Sequence, residues 1–307
     1  MRIGLIDVDG HGYPNLALMK ISAFHKAKGD VVEWADPLFG EYDRVYKSKI
    51  FTFSPDNTDC YNCEVLTGGT GYDIASKLPQ EIETITAPDY SIYPQFNFSL
   101  QFFSRGCIRK CPFCLVRDKE GYIAPVEPLQ LNPRGTHIEV LDNNFFANPD
   151  WKAAIEWLLR TGQKVNLHGV DVRIMDEEQA YFLNKLPLRQ NIHIAWDLPQ
   201  LDLTDKLREV TKYIKPYKLT CYVLIGFNST PEEDLYRLCR LKELRITPFV
   251  QPYRDFENKR TPTQYEKDIA RWANIRSFFK SFDFLEFSPR KGFKCNQYFQ
   301  PINTTNA

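Results

Sequence analysis

The sequence has no surplus of charge of either sign, because its 39 Lys and Arg residues balance its 39 Asp and Glu residues. A domain dedicated to duplex nucleic acid usually carries a basic excess, so that class of protein is disfavoured. No apolar run approaches the roughly 18 residues that a membrane-spanning helix needs. The first residues, MRIGLIDVDG, place acids where a signal peptide has its apolar stretch. Together these absences predict a soluble, cytoplasmic protein with no membrane partner.

A small secreted disulfide framework is also missing, although the chain contains eight cysteines. Five of them lie in two clusters and three are scattered. Clustered thiols in a reducing compartment indicate metal binding or redox chemistry. We interpret the scattered Cys221 and Cys239 as structural, and Cys60 and Cys63 as loop cysteines without a cofactor. The sequence does not indicate a role for Cys295.

The first 90 residues predict a small Rossmann-like α/β domain. Four apolar stretches indicate strands, at residues 3–8, 31–34, 43–53 and 64–67. A helical apolar stripe after Pro14 separates the first two strands, and this alternation implies parallel pairing. Three prolines and little periodicity predict a linker over residues 79–94.

A repeat of strand and helix follows, and it defines the second predicted domain, residues 91–307. Predicted strands start near Phe96, His137, Lys164, Asn191, Lys218 and Ile246. From His137 onward the starts are about 27 residues apart, which fits one βα unit each. Predicted helices cover residues 150–160, 176–186, 204–214 and 230–244. Six such units make a partial (βα)6 barrel, whose ligands bind at the carboxyl ends of its strands. A long helix from residue 263 and a strand at 282–287 complete a C-terminal extension.

The segment SRGCIRKCPFC, directly after the first strand of the repeat, has the composition of a metal site. Its cysteines, Cys107, Cys111 and Cys114, have the spacing C-x3-C-x2-C. Three thiolates within eight residues can hold three corners of a cubane cluster, and no fourth cysteine follows at ferredoxin spacing. One iron would then stay open to a substrate-like ligand. The basic residues of the loop favour the thiolate form.

Two other interpretations of this loop stay open, namely a three-thiolate zinc site and a chance cluster of buried cysteines. Zinc sites usually pair C-x2-C with a distant second pair or with histidines. No histidine lies within about twenty residues of the loop. The iron–sulfur interpretation is therefore the preferred one.

The pattern C-x3-C-x-aromatic-C after the first strand of a βα repeat resembles the radical S-adenosylmethionine (radical SAM) superfamily, over about residues 95–255. The resemblance implies that the three cysteines bind a 4Fe-4S cluster, whose fourth iron is chelated by the amine and carboxylate of SAM. It also implies that an electron from the cluster cleaves SAM to methionine and a 5′-deoxyadenosyl radical.

The same resemblance assigns roles to residues near the cysteines. Phe113, the aromatic residue before the last cysteine, corresponds to a position near the adenine. Asp142 and Asn143 follow the second strand, where the family often contacts the methionyl amine. The family's Gly-Gly-Glu is absent here, so Asp142 is the better candidate and Asn143 the second.

Residues after the later strands complete the predicted SAM contacts. Arg173 follows the third strand, where it would clamp the SAM carboxylate by a bidentate contact. Asp197 follows the fourth, within reach of ribose hydroxyls. Ile225 and Gly226, in the run VLIGF, resemble the adenine contact of the fifth strand, although the usual glycine at the start of that motif is missing.

The N-terminal domain resembles the cobalamin-binding domain attached to many radical SAM enzymes. The signature of that domain is D-x-H-x-x-G, and this chain has Asp9 and His11 but Pro14 in place of the glycine. We therefore expect a retained fold that has lost cobalamin and helps to bind substrate.

Three functional hypotheses follow. The first is a radical SAM enzyme, an oxidoreductase or transferase, that abstracts hydrogen from an unidentified substrate and takes electrons from a donor such as flavodoxin or ferredoxin. The alternatives are a cobalamin-dependent radical SAM methyltransferase and a non-enzymatic, zinc-stabilised α/β binding protein. The substrate class stays open among a nucleoside, a peptide and a small metabolite, and nucleic acid is not excluded.

Overall fold

The computed structural model describes residues 1–10, 12–56, 58–256 and 258–299. The chain is an α/β protein built from parallel sheets and helices. It divides into two compact units: Met1–Ala154 with Thr161–Val165, and Ile155–Arg160 with the described residues from Asn166 onward. The domain boundary predicted near residue 90 lies inside the first unit. None of the described helices is long and apolar enough to cross a membrane.

The first sheet has the strand order β2-β1-β3-β4, with every neighbouring pair parallel. Its strands are β1 (Arg2–Asp7), β2 (Val31–Trp34), β3 (Arg44–Ser48) and β4 (Glu64–Gly68). Helix α1 (Leu16–Ala27) connects β1 to β2, and it begins after Asn15, whose side chain accepts a hydrogen bond from the Leu18 amide at 3.3 Å. All four predicted strands and their parallel pairing are confirmed.

The linker predicted at residues 79–94 is wrong, because this segment is part of the core of the first unit. It contains a short helix, α2 (Gln80–Glu83), and a 3-10 turn at Tyr90–Ile92. The side chains of Ile82, Tyr90 and Tyr93 are buried in one cluster with residues of β1 and α1. Apolar side chains on irregular backbone have no period, which is why the sequence pattern did not reveal them.

The repeat predicted after residue 91 is confirmed as a series of strands and helices. The strands are β5 (Ser99–Gln101), β6 (Ser104–Arg105), β7 (Ala124–Pro125), β8 (His137–Val140), β9 (Lys164–Leu167), β10 (Ile192–Ala195), β11 (Leu219–Ile225) and β12 (Thr247–Pro252). The helices are α3 (Val116–Glu120), α4 (Trp151–Thr161), α5 (Glu177–Lys185), α6 (Thr204–Val210), α7 (Pro231–Glu243), α8 (Gln264–Asn274) and α9 (Arg276–Ser281). Six of these strands start within three residues of the predicted positions, because buried strands bounded by helix caps leave a clear pattern.

These strands form two parallel sheets and one antiparallel pair. The sheet orders are β5-β8-β9 and β10-β11-β12, and β6 pairs with β7 in antiparallel fashion. The first two residues of β9 belong to the first unit, and the rest belongs to the second. In parallel sheets the carboxyl ends of the strands share one edge, so the residues after β10 and β11 are neighbours.

Two details of the second unit show where local sequence determines the helices and where it does not. Helix α7 begins with a capping box, in which the Thr230 hydroxyl accepts from the Glu233 amide at 3.3 Å and the Glu233 carboxylate accepts from the Thr230 amide at 2.8 Å. The strand predicted at residues 282–287 is wrong, because the chain forms a 3-10 turn at Phe284–Glu286. Phe284 and Phe287 are buried, a spacing of three residues that matches the 3-10 period.

Candidate functional site

The cysteine loop lies between β6 and α3 in the first unit, and Gly106 sets its entry. Gly106 has φ +82°, a left-handed conformation that favours glycine. A Cβ at this position would lie 2.5 Å from the Tyr122 carbonyl oxygen and 2.7 Å from that of Gly121. The next amide, of Cys107, donates to the Gly121 carbonyl at 3.3 Å. The loop therefore approaches the backbone after α3 too closely for any side chain at residue 106.

Glu120, the last residue of α3, connects the loop to the segment after β8. Its carboxylate accepts from the Gly106 amide at 2.8 Å, from the Arg105 guanidinium at 2.5 Å and from the Asn143 side-chain amide at 2.9 Å. Charge-assisted hydrogen bonds of this kind are about twice as strong as neutral ones. The sequence alone does not indicate a role for Glu120, because nothing local distinguishes it from the other acidic residues.

The three cysteines form no disulfide within the described residues, and each is half-buried. The Cys107 sulfur accepts two hydrogen bonds, from the Arg109 amide at 3.3 Å and from the Asn144 side-chain amide at 3.8 Å. The Cys114 amide donates to the Cys111 carbonyl at 3.0 Å, which turns the chain between the second and third cysteines. Hydrogen bonds to sulfur and nearby cations are the usual surroundings of thiolate ligands of metals.

Across residues 1–10, 12–56, 58–256 and 258–299, no three His, Cys, Asp or Glu side chains have the arrangement needed to hold a metal ion. The donor chemistry of the loop nevertheless fits an iron–sulfur cluster. The loop supplies three thiol groups as possible iron ligands, and two N–H groups donate to the sulfur of Cys107. These features are compatible with a thiolate-bound cluster.

Asp142 is almost completely buried, with 1% of its surface exposed. Its carboxylate accepts from the Phe103 amide at 2.9 Å and from the Ser104 hydroxyl at 2.5 Å. Burial raises the pKa of Asp142 to about 6, although the hydrogen bonds from Ser104 and the Phe103 amide oppose the rise. The side chain thus ties the end of β8 to the chain that enters the cysteine loop, a role that the sequence analysis did not assign.

The first unit therefore brings together several of the predicted residues. Asn143 reaches the loop through Glu120 at 2.9 Å, and Asn144, to which the sequence analysis gave no role, reaches Cys107 directly. Phe113 is half-buried within the loop. The run DNNF was the available sequence signal for Asn144, but only the fold shows which of its polar side chains meets the sulfur.

In the second unit, the predicted residues lie after the carboxyl ends of their strands. The Arg173 guanidinium forms a bidentate ion pair with Asp171, with distances of 2.6 and 2.9 Å. Asp197 accepts from the Leu224 amide at 3.1 Å, which links the residue after β10 to the end of β11. Burial raises the pKa of Asp197, while the Leu224 amide and the charges of Arg237 and Arg173 lower it. Arg173 and Asp197 are thus close enough to interact electrostatically.

Gly226 follows β11 in a left-handed conformation, with φ +73°. A Cβ here would lie 2.3 Å from the Glu266 carboxylate and 2.6 Å from the Arg260 guanidinium. These two side chains form an ion pair of 2.6 Å over the end of β11, and neither was identified from the sequence. Ile225, the residue before the glycine, is fully buried. The positive φ therefore favours glycine here, and any larger residue would also displace the ends of these two side chains.

The predicted cobalamin contacts lie partly outside the described residues, since His11 is not among them. Asp9 accepts a hydrogen bond from the Ile50 amide. Gly69 has φ +100°, and a Cβ there would lie 2.3 Å from the Lys49 carbonyl oxygen. The expected loss of cobalamin binding stays a prediction. A scan against protein-family models found no match for this chain, and a search of the curated proteins found none either.

Proposed function

We propose that this chain is a radical SAM enzyme that holds a 4Fe-4S cluster on Cys107, Cys111 and Cys114. The observation that carries the proposal is the loop itself: three thiols at C-x3-C-x2-C spacing after a strand of a parallel βα repeat. The two N–H groups directed at the Cys107 sulfur support it further. We infer in addition that β5 and β8–β12 belong to a partial (βα)6 barrel, a topology supported by their regular succession and parallel pairing.

When bound, the cluster supplies the electron for reductive cleavage of SAM. In the first unit, the residues around the cysteines would shape the environment in which that reaction takes place. Asn144 and the Arg109 amide stabilise negative charge on sulfur, and Glu120 keeps the loop closed around its glycine. Asp142 holds the end of β8 against the loop entry. Asn143 and Asp142 are our candidates for the methionyl amine, and Phe113 is the candidate for adenine contact in this unit.

In the second unit, the residues after the strands are suited to the polar parts of SAM. Arg173 would present its planar guanidinium to the carboxylate, and Asp171 orients that group through the bidentate pair. Asp197 would accept from the ribose hydroxyls, since it is held at the end of β11 by the Leu224 amide. The backbone at Ile225 and Gly226, which carries no side chain at the glycine, would lie flat along the adenine.

The test is anaerobic purification followed by iron, sulfide and zinc analysis and a visible absorption spectrum. We expect about four irons per chain and a broad thiolate-to-iron charge-transfer band. Both should be lost in the triple variant with Ala at Cys107, Cys111 and Cys114. A double variant, Cys60→Ala with Cys63→Ala, is the matched control and should keep the iron, because those thiols belong to a different loop.

A second measurement follows the chemistry. Chemically reduced protein should convert SAM to 5′-deoxyadenosine and methionine, and Cys111→Ala should abolish that conversion. Zinc without iron after anaerobic reconstitution would contradict the proposal and favour a structural zinc site. Iron retained by the triple variant would show that the cluster, if present, is held elsewhere.

A further inference from the structure

The second unit contains a cavity of about 580 Å3 that lies at the opposite ends of the strands from Asp197 and Gly226. Residues just before β11 and at the start of β12 line it, together with the end of α7 and the region where α8 passes into α9. Its size falls within the range of small-molecule sites. The proposed SAM chemistry makes no use of this cavity.

All the charged side chains that line the cavity are positive. Four basic side chains line it, at Lys242, Arg245, Arg276 and Lys280, and its described lining contains no Asp or Glu. Lys242 is already engaged, since its ammonium donates to Asp283 at 2.7 Å. The other three are exposed and form no ion pair within the described part of the chain. In a protein of zero net charge, this concentration of uncompensated cations favours an anionic ligand.

Arg245 adds an independent observation, because its backbone adopts a left-handed conformation with φ 58°. It follows the last turn of α7, where its amide donates to the Lys242 carbonyl at 3.1 Å and the Ile246 amide donates to the Leu241 carbonyl at 3.0 Å. This is the helix-ending pattern that normally has glycine at the left-handed residue. An arginine costs about 1 kcal/mol or more there. Arg245 therefore occupies a costly backbone position in the lining of the cavity.

Most of the remaining lining is apolar and partly aromatic, and it also contains the polar residues Thr247 and Asn274. Tyr217 has 59% of its surface exposed, and Phe279, Ile246 and Pro248 provide buried apolar surface. The Asn274 side chain is engaged with the backbone of Val250, at 2.7 Å from its amide and 3.0 Å from its carbonyl. A planar ring suits the apolar part of this surface, since aromatic side chains stack on bases whatever their sequence.

We propose that this cavity binds a nucleoside phosphate, with the phosphate held by Arg245, Arg276 and Lys280 and the base placed against Tyr217 and Phe279. The ligand is either a free nucleotide or a nucleotide within a single strand of nucleic acid. Both present the same phosphate and ring to the cavity, and they differ only in what is attached to the phosphate.

Isothermal titration calorimetry on the full chain tests the proposal, with the common nucleoside 5′-monophosphates, inorganic phosphate and a short single-stranded oligonucleotide as probes. We expect a nucleotide to bind more tightly than phosphate alone, because the ring adds contact area. Arg245→Gly should weaken binding about tenfold, the loss expected for one charge-assisted hydrogen bond. Arg276→Gln and Lys280→Gln should each have a similar effect. An oligonucleotide that binds more tightly than every mononucleotide would identify a strand as the source of the ligand.

The chain offers a matched control, because Lys259 is also basic, exposed and left-handed, with φ 55°, but lies outside the cavity. Lys259→Gly should relieve the same backbone strain and leave binding within about twofold of the original. Arg245→Gly keeps the backbone conformation, so the variant should fold and even gain stability. The proposal is overturned if neither a nucleotide nor the oligonucleotide binds, if Arg245→Gly leaves binding unchanged, or if SAM competes for the same site.

Discussion

Arg237 on α7 is almost completely buried in the second unit, and its replacement by Met is the most direct test of how the ends of β10 and β11 are held. Its guanidinium donates to the carbonyls of Trp196 at 2.8 Å, Asp197 at 3.2 Å and Leu224 at 3.0 Å. It also forms an ion pair of 2.7 Å with Asp234, in which the two side chains are 1% and 2% exposed. One buried side chain thus joins two strand ends to a helix.

The expected loss of stability follows from what the substitution leaves behind. Arg237→Met would leave the Asp234 carboxylate buried without its partner, and breaking a buried ion pair in this way typically costs about 3–5 kcal/mol. Asp234→Asn keeps a hydrogen-bond acceptor, and the guanidinium still meets three carbonyls. We therefore expect the Asn variant to lose only about 1–2 kcal/mol, the value of one hydrogen bond to a charged group.

Urea unfolding followed by tryptophan fluorescence measures these differences in the free energy of unfolding. Trp196 is a suitable probe, because its indole is buried and donates to the Leu201 carbonyl at 2.7 Å. Arg208→Met is the matched control, since Arg208 also pairs with an aspartate three residues away, but at the surface. It should cost less than about 0.5 kcal/mol.

The pH dependence provides a further check. Burial raises the pKa of Asp234, and Arg237 opposes that rise. Without Arg237 the pKa of Asp234 should rise further, so the variant should regain stability as the pH falls and Asp234 takes up a proton. A loss below about 1 kcal/mol for Arg237→Met, or a loss equal to that of Asp234→Asn, would refute this account of the buried pair.

Other substitutions probe the two strand-end regions. Gly106→Ala should destabilise the cysteine loop and lower the iron content, whereas Gly162→Ala, with a left-handed φ of +64° and open space around it, should cost only about 1 kcal/mol and keep the iron. Because burial raises the pKa of Asp142 to about 6, the wild-type protein should lose up to about 3 kcal/mol of unfolding free energy as the pH rises from about 4 to about 6. Asp142→Asn should remove this loss, and denaturation at several pH values measures the difference. Gly226→Ala should weaken SAM binding more than it lowers Tm, since the Glu266 carboxylate must move; equal binding by the variant would contradict the adenine assignment.

The regular part of the fold could be predicted because it depends on short-range patterns. Buried strands such as β11 are apolar runs, and α7 carries its own start signal in Thr230 and Glu233. The three cysteines could likewise be recognised as candidate ligands, because the chemistry of the donors is contained in their spacing. Each of these signals spans fewer than about fifteen residues and survives without knowledge of the fold.

Contacts between distant residues decided the rest. The sequence does not indicate that Glu120 accepts from Gly106 and Asn143, that Asp142 ties β8 to Ser104, or that Arg237 spans two strand ends, because these partners are 13 to 41 residues apart. The same holds for the basic cavity, whose cations come from separate helices. Local patterning encodes which segments become strands and helices, whereas the surroundings of each polar side chain arise only when burial brings those segments together.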